Sequence, residues 1–281
     1  MPYKQMSIIT RKWGNQKPSS GSQINWGHPL SQGLVGAWLM NEGRGKKYIN
    51  LVNSKPATIL GTVGWGIRTK GYVFTHANTV NNGLKFEYIP NGNTTIFAIA
   101  RRTSDTLTAP AEINVLSATK EGGSRPGILL GMSNTWAAAG SKYKISAECQ
   151  STAPANTGLN LYVDGKQQVS WSSSDNQLTV NVFYSIAFTG VPGVNQYNLH
   201  QLGCSHYDTF NTFAGYVEVA VYYTWNRVLS PSEIQQLYVS PYQFIRPITR
   251  RVFFIPPTVS AVARGRIARV QRIARIQRIT I

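Results

Sequence analysis

The sequence has few acidic residues. Its 281 residues include 11 Asp and Glu against 28 Lys and Arg, which gives a formal net charge of +17. The first acid is Glu42 and the last is Glu233, so the leading 41 residues carry four basic groups and the final 48 carry nine, with no acid in either flank. Because most of the excess charge lies in these flanks, they are predicted to contact an acidic partner.

Long apolar runs, an export signal and cysteines are also scarce. No apolar run approaches the roughly eighteen residues of a membrane span, so we expect no membrane association. The start of the chain has basic residues but no apolar core, so a Sec signal peptide is not expected. Cys149 and Cys204 make no disulfide framework. Buried thiols are our interpretation, with a single bridge between them as the alternative.

Closely spaced acids, which many glycoside hydrolases need, do not occur. A retaining hydrolase uses two carboxyl groups about 5 Å apart. On one strand such a pair would be two or four residues apart, and no two acids of this sequence are that close. No phosphate-binding glycine loop or serine nucleophile elbow is present either. We therefore expect a protein that is not an enzyme, with a carboxylate pair assembled from distant strands as the alternative.

Metal ligands are clustered once, at His200, Cys204, His206 and Asp208. Zinc sites favour tighter paired spacings, so we interpret these residues as a strand histidine, a buried thiol and solvated loop residues. We expect no cofactor. Calcium in the asparagine-rich loop from Asn78 to Asn82 is the alternative, since calcium prefers oxygen ligands.

Apolar residues alternate along many short stretches, which is the pattern of β-strands. In the clearest of them one face is predicted to hold Val217, Val219, Val221 and Tyr223, and the other Tyr216, Glu218, Ala220 and Tyr222. Both faces are largely apolar, so we expect this strand to lie centrally in a sheet that is covered on both sides. Around a dozen such strands predict an all-β fold, an antiparallel two-sheet sandwich.

One short helix is predicted after the last strand. Ser230 is expected to be its N-cap, with Pro231 at the first helical position and Glu233 completing a capping box. Ile234, Leu237 and Tyr238 then supply an apolar stripe that can pack on the sandwich.

Three stretches resemble a known family when taken in order along the chain. They are Gly33–Gly43, the hairpin Leu161–Gly165, and the strand-and-helix stretch Phe213–Tyr238 with its Trp-Asn-Arg motif. Together they are similar to laminin-G-like jelly rolls of the concanavalin A-like lectin and glucanase superfamily. The resemblance implies a jelly-roll sandwich over residues 33–240, between an N-terminal arm (1–32) and an extended basic tail (241–281). The family often has Ile-Asp-Glu where this chain has Tyr216-Val217-Glu218, so no role of that Asp is transferred.

The tail contains a strict three-residue repeat, with arginine followed by isoleucine or valine. Its members are Arg266, Ile267, Arg269, Val270, Arg272, Ile273, Arg275, Ile276, Arg278 and Ile279. On an α-helix this step would spread the apolar residues around the axis, whereas three residues per turn keeps them on one face. We predict an assembly anchor. A disordered solubilising tail and a nucleic-acid arm are the alternatives.

Carbohydrate binding is the ligand class that the resemblance implies. Lectins stack sugars on exposed aromatics and hold hydroxyl groups with polar side chains. The candidates are Trp136 beside Asn134, and Tyr207 between His206 and Asp208.

A sandwich of this kind with basic flanks resembles accessory proteins of bacteriophage virions, which decorate capsids or tails. The resemblance implies a virion location with assembly in the host cytoplasm, other virion proteins as partners, a homo-oligomer within the assembly, and host surface glycan as a ligand. The alternative is a free carbohydrate-binding module or a degenerate glycosidase.

Overall fold

The structure is a computed structural model that describes residues 17–43, 47–68, 71–76, 83–86, 93–103, 113–121, 126–134, 144–149, 160–168, 172–190, 197–202, 204–205, 213–214 and 217–247. These residues fall within the first of two compact units, Met1–Ile248, and the second unit, Thr249–Ile281, lies outside them. Nineteen strands and one α-helix lie in the described part of the chain. No helix there is long and apolar enough to cross a bilayer.

The elements are numbered in chain order. The strands are β1 (Gln23–Ile24), β2 (Leu34–Trp38), β3 (Thr58–Leu60), β4 (Gly64–Arg68), β5 (Gly71–His76), β6 (Gly83–Phe86), β7 (Thr95–Arg102), β8 (Ile113–Glu121), β9 (Pro126–Asn134), β10 (Lys144–Cys149), β11 (Asn160–Val163), β12 (Lys166–Gln167), β13 (Ser172–Gln177), β14 (Tyr184–Thr189), β15 (Tyr197–Leu202), β16 (Cys204–Ser205), β17 (Phe213–Ala214), β18 (Val217–Trp225) and β19 (Ile245–Arg246). The α-helix, α1, is Pro231–Val239, and Pro29–Ser31 form a short 3-10 helix.

Two large antiparallel sheets make up the body of the protein. One has eight strands in the order β12-β11-β14-β7-β18-β5-β4, with β2 also paired to β18, and the other has seven in the order β13-β10-β9-β8-β15-β6-β3. Leu84, Phe86 and Leu202 of the seven-stranded sheet share one apolar cluster with residues of the eight-stranded sheet such as Ile96 and Phe188. The predicted all-β antiparallel sandwich is therefore confirmed.

A second apolar cluster covers the outer face of the eight-stranded sheet. Phe97 and Ile99 of β7 belong to it, whereas their neighbours on the same strand face the seven-stranded sheet. Helix α1 and residues near both ends of the described chain pack over this face. The eight-stranded sheet is thus apolar on both faces because each face has a cover, as the alternation in β7 predicts.

The strand β18 lies centrally, as predicted, but its faces differ from the prediction. Val219 points into the sandwich, yet Val221 belongs to the outer cluster, and Tyr222 returns to the interior. The register between β18 and β7 shifts between Val219 and Val221. A bulge at Ala220 adds one residue to the strand and so reverses the phase of the alternation. The prediction that Val217, Val219, Val221 and Tyr223 share one face is therefore wrong.

The capped helix follows the prediction. The Ser230 hydroxyl accepts from the Glu233 amide, while the Glu233 carboxylate accepts from the Ser230 amide at 2.8 Å. Pro231 opens the helix, and Ile234 and Leu237 are buried against the outer cluster. These contacts are local, so the sequence spacing alone is enough to predict them.

The two flanks meet on the outer face of the sandwich. Strands β1 and β19 pair antiparallel, with Gln23 opposite Arg246 and Ile24 opposite Ile245. The sequence predicts an N-terminal arm over residues 1–32 and an extended tail over residues 241–281. The pairing of β1 with β19 gives both segments strand structure that their local sequences do not predict. The domain boundaries themselves stay a prediction.

Candidate functional site

The predicted carbohydrate site is described only at Asn134. This residue ends β9, where its backbone pairs with that of Ile113 in β8. The other predicted contacts lie outside the described residues: Trp136, His206, Tyr207 and Asp208. So do the asparagine-rich loop and every residue of the arginine repeat. These assignments stay predictions.

Two of the possible metal ligands lie in different strands, His200 in β15 and Cys204 in β16. The other cysteine of the chain, Cys149, is in β10 of the seven-stranded sheet. Within the described ranges no three His, Cys, Asp or Glu side chains are grouped so that they could hold a metal ion. The described part of the chain therefore offers no metal centre to build on.

The acidic side chains that the structure describes support the fold. The Glu42 carboxylate accepts from the Ile49 amide at 2.7 Å, which holds the chain as it crosses between the sheets. Asp164, at the tip of the β11–β12 hairpin, accepts from the Ser185 amide at 3.0 Å. Both acids thus replace backbone partners at positions where strands end.

The other two acids whose side chains are described form ion pairs. Glu218 of β18 lies 2.6 Å from the Arg101 guanidinium of β7, and that guanidinium also stacks on the ring of Phe183 at 5.0 Å. Glu233 binds Arg227 at 2.6 Å, and this hydrogen bond is the main reason that the pKa of Glu233 is lowered. Each of the four acids whose side chains are described therefore has a backbone or arginine partner.

One tryptophan differs from the other three whose side chains are described. Trp38 and Trp225 are buried, and Trp65 stacks on Tyr48 with ring centroids 4.3 Å apart. Trp26 is 57% exposed. Ile67, Val228 and Val239 are exposed as well, so Trp26 is one of several apolar side chains open to solvent.

Trp26 lies in a tight turn with polar neighbours. The His28 amide donates to the Asn25 carbonyl at 3.0 Å, which closes the turn. The His28 Nδ1 accepts from the Leu30 amide at 3.1 Å, so the neutral imidazole carries its proton on Nε2. Apart from its two chain neighbours, a β-carbon built on Gly27 would meet only the Asn25 Oδ1 atom, at 3.6 Å.

The sequence does not single out Trp26, because it predicts an N-terminal arm over residues 1–32 and places its sugar-stacking candidates at Trp136 and Tyr207.

A second polar feature lies where the N-terminal flank reaches the sandwich. The Lys17 ammonium donates to the Met40 carbonyl at 3.1 Å, and the Asn41 amide donates to the Pro18 carbonyl at 2.6 Å. Burial lowers the pKa of Lys17 to about 7, although the nearby Glu42 carboxylate acts in the opposite direction. These contacts hold residues 17 and 18 against the end of β2.

Comparisons with known proteins yield fold-level similarities only. No family model and no curated protein sequence matches the chain. A Trypanosoma rangeli sialidase mutant with trans-sialidase activity aligns at 16% identity and a TM-score of 0.44, over 84% of this chain and 38% of that one. Domain 4 of AbnA, a GH43 extracellular arabinanase from Geobacillus stearothermophilus in complex with arabinotriose, aligns at 13% identity and 0.41, over 73% and 98%.

A third similar structure is the botulinum neurotoxin type G receptor binding domain, at 14% identity and a TM-score of 0.40, over 73% of this chain and 50% of that one. The chain thus spans about two fifths of the length of the sialidases it resembles. What these proteins bind or cleave is a property of those proteins.

Proposed function

We propose that this protein is a non-enzymatic accessory protein of a bacteriophage virion, anchored through its basic flanks and displaying a lectin-like sandwich that binds surface carbohydrate. The observation that carries the proposal is the pairing of β1 with β19. Residues of both flanks, Ile24 and Ile245, belong to one apolar cluster on the sandwich, and the two-stranded ladder pairs Gln23 with Arg246. An anchor of this kind holds the sandwich from one end and leaves the rest of its surface for display.

The tail supplies the chemistry of the anchor. Its isoleucine row needs an apolar cover, and its arginine row can bind carboxylates through two parallel hydrogen bonds. A protein surface offers both, which favours a virion protein as the partner. A nucleic acid would satisfy the arginines but would leave the isoleucines uncovered.

Purified particles test this location directly. We expect the chain to co-purify with intact particles and to appear as a regular feature when they are imaged. Replacing Ile267, Ile273 and Ile279 together with Ser should release it while the sandwich stays folded. A chain found only free in the lysate would support the alternative, a free carbohydrate-binding module.

The non-enzymatic part of the proposal is supported by the spacing of the acids, since no two of them are two or four residues apart in the sequence. Incubation with a panel of β-glucans and host polysaccharides should release no reducing ends. Turnover that is abolished by a single Glu or Asp substitution would show a glycosidase instead, and would identify one of its carboxylates.

A further inference from the structure

We infer that His28 is a pH-sensitive latch, which holds the two flanks on the outer face of the sandwich while its imidazole is neutral and loosens them when the ring takes up a proton. The latch is independent of the proposed function, because it concerns only how the flanks are held. It consists of the hydrogen bonds within one turn, residues 25–31, and of the contacts that this turn makes.

His28 takes part in the turn as a hydrogen-bond acceptor. It is the N-cap of the short 3-10 helix, and its Nδ1 accepts from the Leu30 amide at 3.1 Å. A neutral imidazole accepts at one ring nitrogen, whereas an imidazolium carries a proton on both nitrogens and can only donate. Protonation of His28 therefore sets an N–H against the N–H of Leu30, and the cap is lost.

Leu30, which would lose its acceptor, links the turn to the centre of the sheet. The residue is 1% exposed, so water does not replace the lost hydrogen bond without opening the turn. Its carbonyl accepts from the Trp225 indole of β18 at 2.7 Å. Two residues further on, the Gln32 carbonyl accepts from the Arg227 guanidinium at 2.8 Å. A change at Leu30 thus acts on the segment that joins the N-terminal flank to β18 and the residues after it.

The same turn contacts the strand from the opposite flank. The Asn25 amide donates to the Phe244 carbonyl at 2.8 Å, while the Asn25 carbonyl accepts from the His28 amide at 3.0 Å and from the Ser31 hydroxyl at 2.7 Å. The His28 ring lies 6.4 Å from the Phe244 ring, beyond the roughly 6 Å within which an aromatic face attracts a cation. Phe244 therefore does not compensate an imidazolium for the lost cap, and opening of the turn loosens β1 and β19 together.

The other charged and titratable side chains described on the elements around the turn keep their charge between about pH 5.5 and 7.5. Burial raises the pKa of Tyr223 and of Tyr242, so both stay neutral. The pKa of Glu233 is lowered, chiefly by its hydrogen bond with Arg227, so this ion pair persists. The guanidinium of Arg246 on β19 stays charged, as arginine does.

The direction of the effect follows from which state binds the proton. The closed turn keeps its Leu30 hydrogen bond only while Nδ1 is free of a proton, whereas the open turn leaves the imidazole free to bind one. Because the open turn binds more protons, lowering the pH favours it. Histidine changes its charge between about pH 5 and 8, so the latch is closed at the upper end of this range and is released toward the lower end.

Hydrogen exchange of the full-length chain, measured by mass spectrometry at about pH 5.5 and 7.5, tests the latch. After correction for the intrinsic exchange rate, residues 22–32 and 242–247 of the wild type should exchange about tenfold faster at the lower pH, the factor expected when a buried N–H loses its acceptor. Helix α1 is the internal control, because its cap is the hydroxyl of Ser230, which does not titrate in this range.

His28→Asn is the decisive variant. Asn is a good N-cap that keeps an acceptor and has no titrating group, so exchange of both segments should no longer depend on pH. His28→Ala removes the acceptor and should exchange at pH 7.5 about as fast as the wild type does at pH 5.5. Burial lowers the pKa of Lys17 to about 7, so Lys17→Met is a second control and should respond to pH as the wild type does.

Three results would overturn the latch. The first is an equal response to pH in the wild type and in His28→Asn, and the second is a response that Lys17→Met abolishes. The third is acceleration confined to residues 22–32, because the cap would then act on its own turn and not on the opposite flank.

Discussion

The two faces of the eight-stranded sheet are both apolar, but they are covered in different ways. The inner face packs on a second sheet, so its partners are other strands in the middle of the chain. The outer face packs on α1 and on residues near both ends of the described chain, including Ile24, Leu30, Phe244 and Ile245. Segments that resemble linkers in composition therefore complete a core.

Phe244 illustrates how closely the outer cover is fitted. Its ring lies 5.1 Å from that of Tyr223 and 6.2 Å from that of Trp225, in edge-to-face arrangements. Such geometry contributes beyond simple burial. The segments that cover the outer face are therefore part of the fold and not loosely attached flanks. Their contribution to stability can be measured.

The largest effect is expected from removing both flanks. A chain of residues 33–240 loses four buried apolar side chains, worth roughly 1.5–3 kcal/mol each. The loss is comparable with the whole stability of a typical domain, about 5–15 kcal/mol. We therefore expect residues 17–247 to melt cooperatively like the full chain, whereas residues 33–240 are molten or aggregate. If the two truncated chains melt cooperatively at the same temperature, the flank segments that cover the outer face are dispensable for folding.

A single substitution compares the packing of the two faces with a smaller expected loss of stability. Phe244→Ala should lower the free energy of unfolding by about 3–5 kcal/mol, as Phe→Ala substitutions in cores do. Phe86→Ala on the inner face is the matched control, since both rings are buried. Denaturant titration should give similar losses for the two. A loss below about 1 kcal/mol for Phe244→Ala alone would mean that the outer face is loosely packed.

The attachment of the N-terminal flank should depend on pH. The pKa of Lys17 is lowered from 10.5 to about 7 by burial. Between these values the unfolded chain binds more protons than the folded one, so the free energy of unfolding rises with pH across this window. Below about pH 7 the Lys17 amine is protonated in both states, so the stability gained at higher pH is absent. We expect a change of a few kcal/mol at most.

Denaturant titration at several pH values between 6 and 10 measures this dependence. Lys17→Met keeps an apolar stem and removes the titrating group, so its slope with pH should be smaller than that of the wild type. An unchanged slope would mean that Lys17 is not buried in the folded protein.

The smallest effect is expected at the helix cap. Ser230→Ala removes the side chain that accepts from the Glu233 amide, and cap losses of this kind amount to about 1 kcal/mol. Gln236→Ala at an exposed position of α1 is the control, because the Ser232 hydroxyl is itself 2.9 Å from that of Ser230. Equal stability of the two variants would contradict the capping role of Ser230.

The structural features that the sequence predicts correctly depend on contacts between residues close together in the chain. The capping box joins residues three apart, so its spacing is visible in the sequence. The hairpin turn at Asp164 and Gly165 was predictable for the same reason, and both residues have positive φ angles, 50° and 74°.

The exposure of Trp26 was not predictable in the same way. Whether Trp26 is buried or exposed depends on what covers the turn, and composition around it indicated only a loop. The structure places its neighbours Ile24 and Leu30 in the outer cluster and leaves the indole in solvent. Exposure of one residue in a packed layer is a property of the assembled surface.

The sequence by itself determined the all-β class, the central place of β18, the capped helix and the uneven charge, because each depends on periodicity, short spacing or composition. Only the tertiary structure decided the phase of β18 after its bulge and the pairing of Ile24 with Ile245. The bulge depends on how β18 matches β7 across the sheet, and the pairing joins residues from opposite flanks. No local pattern encodes either contact, since both form only when distant segments are brought together by burial of the apolar surface that they share.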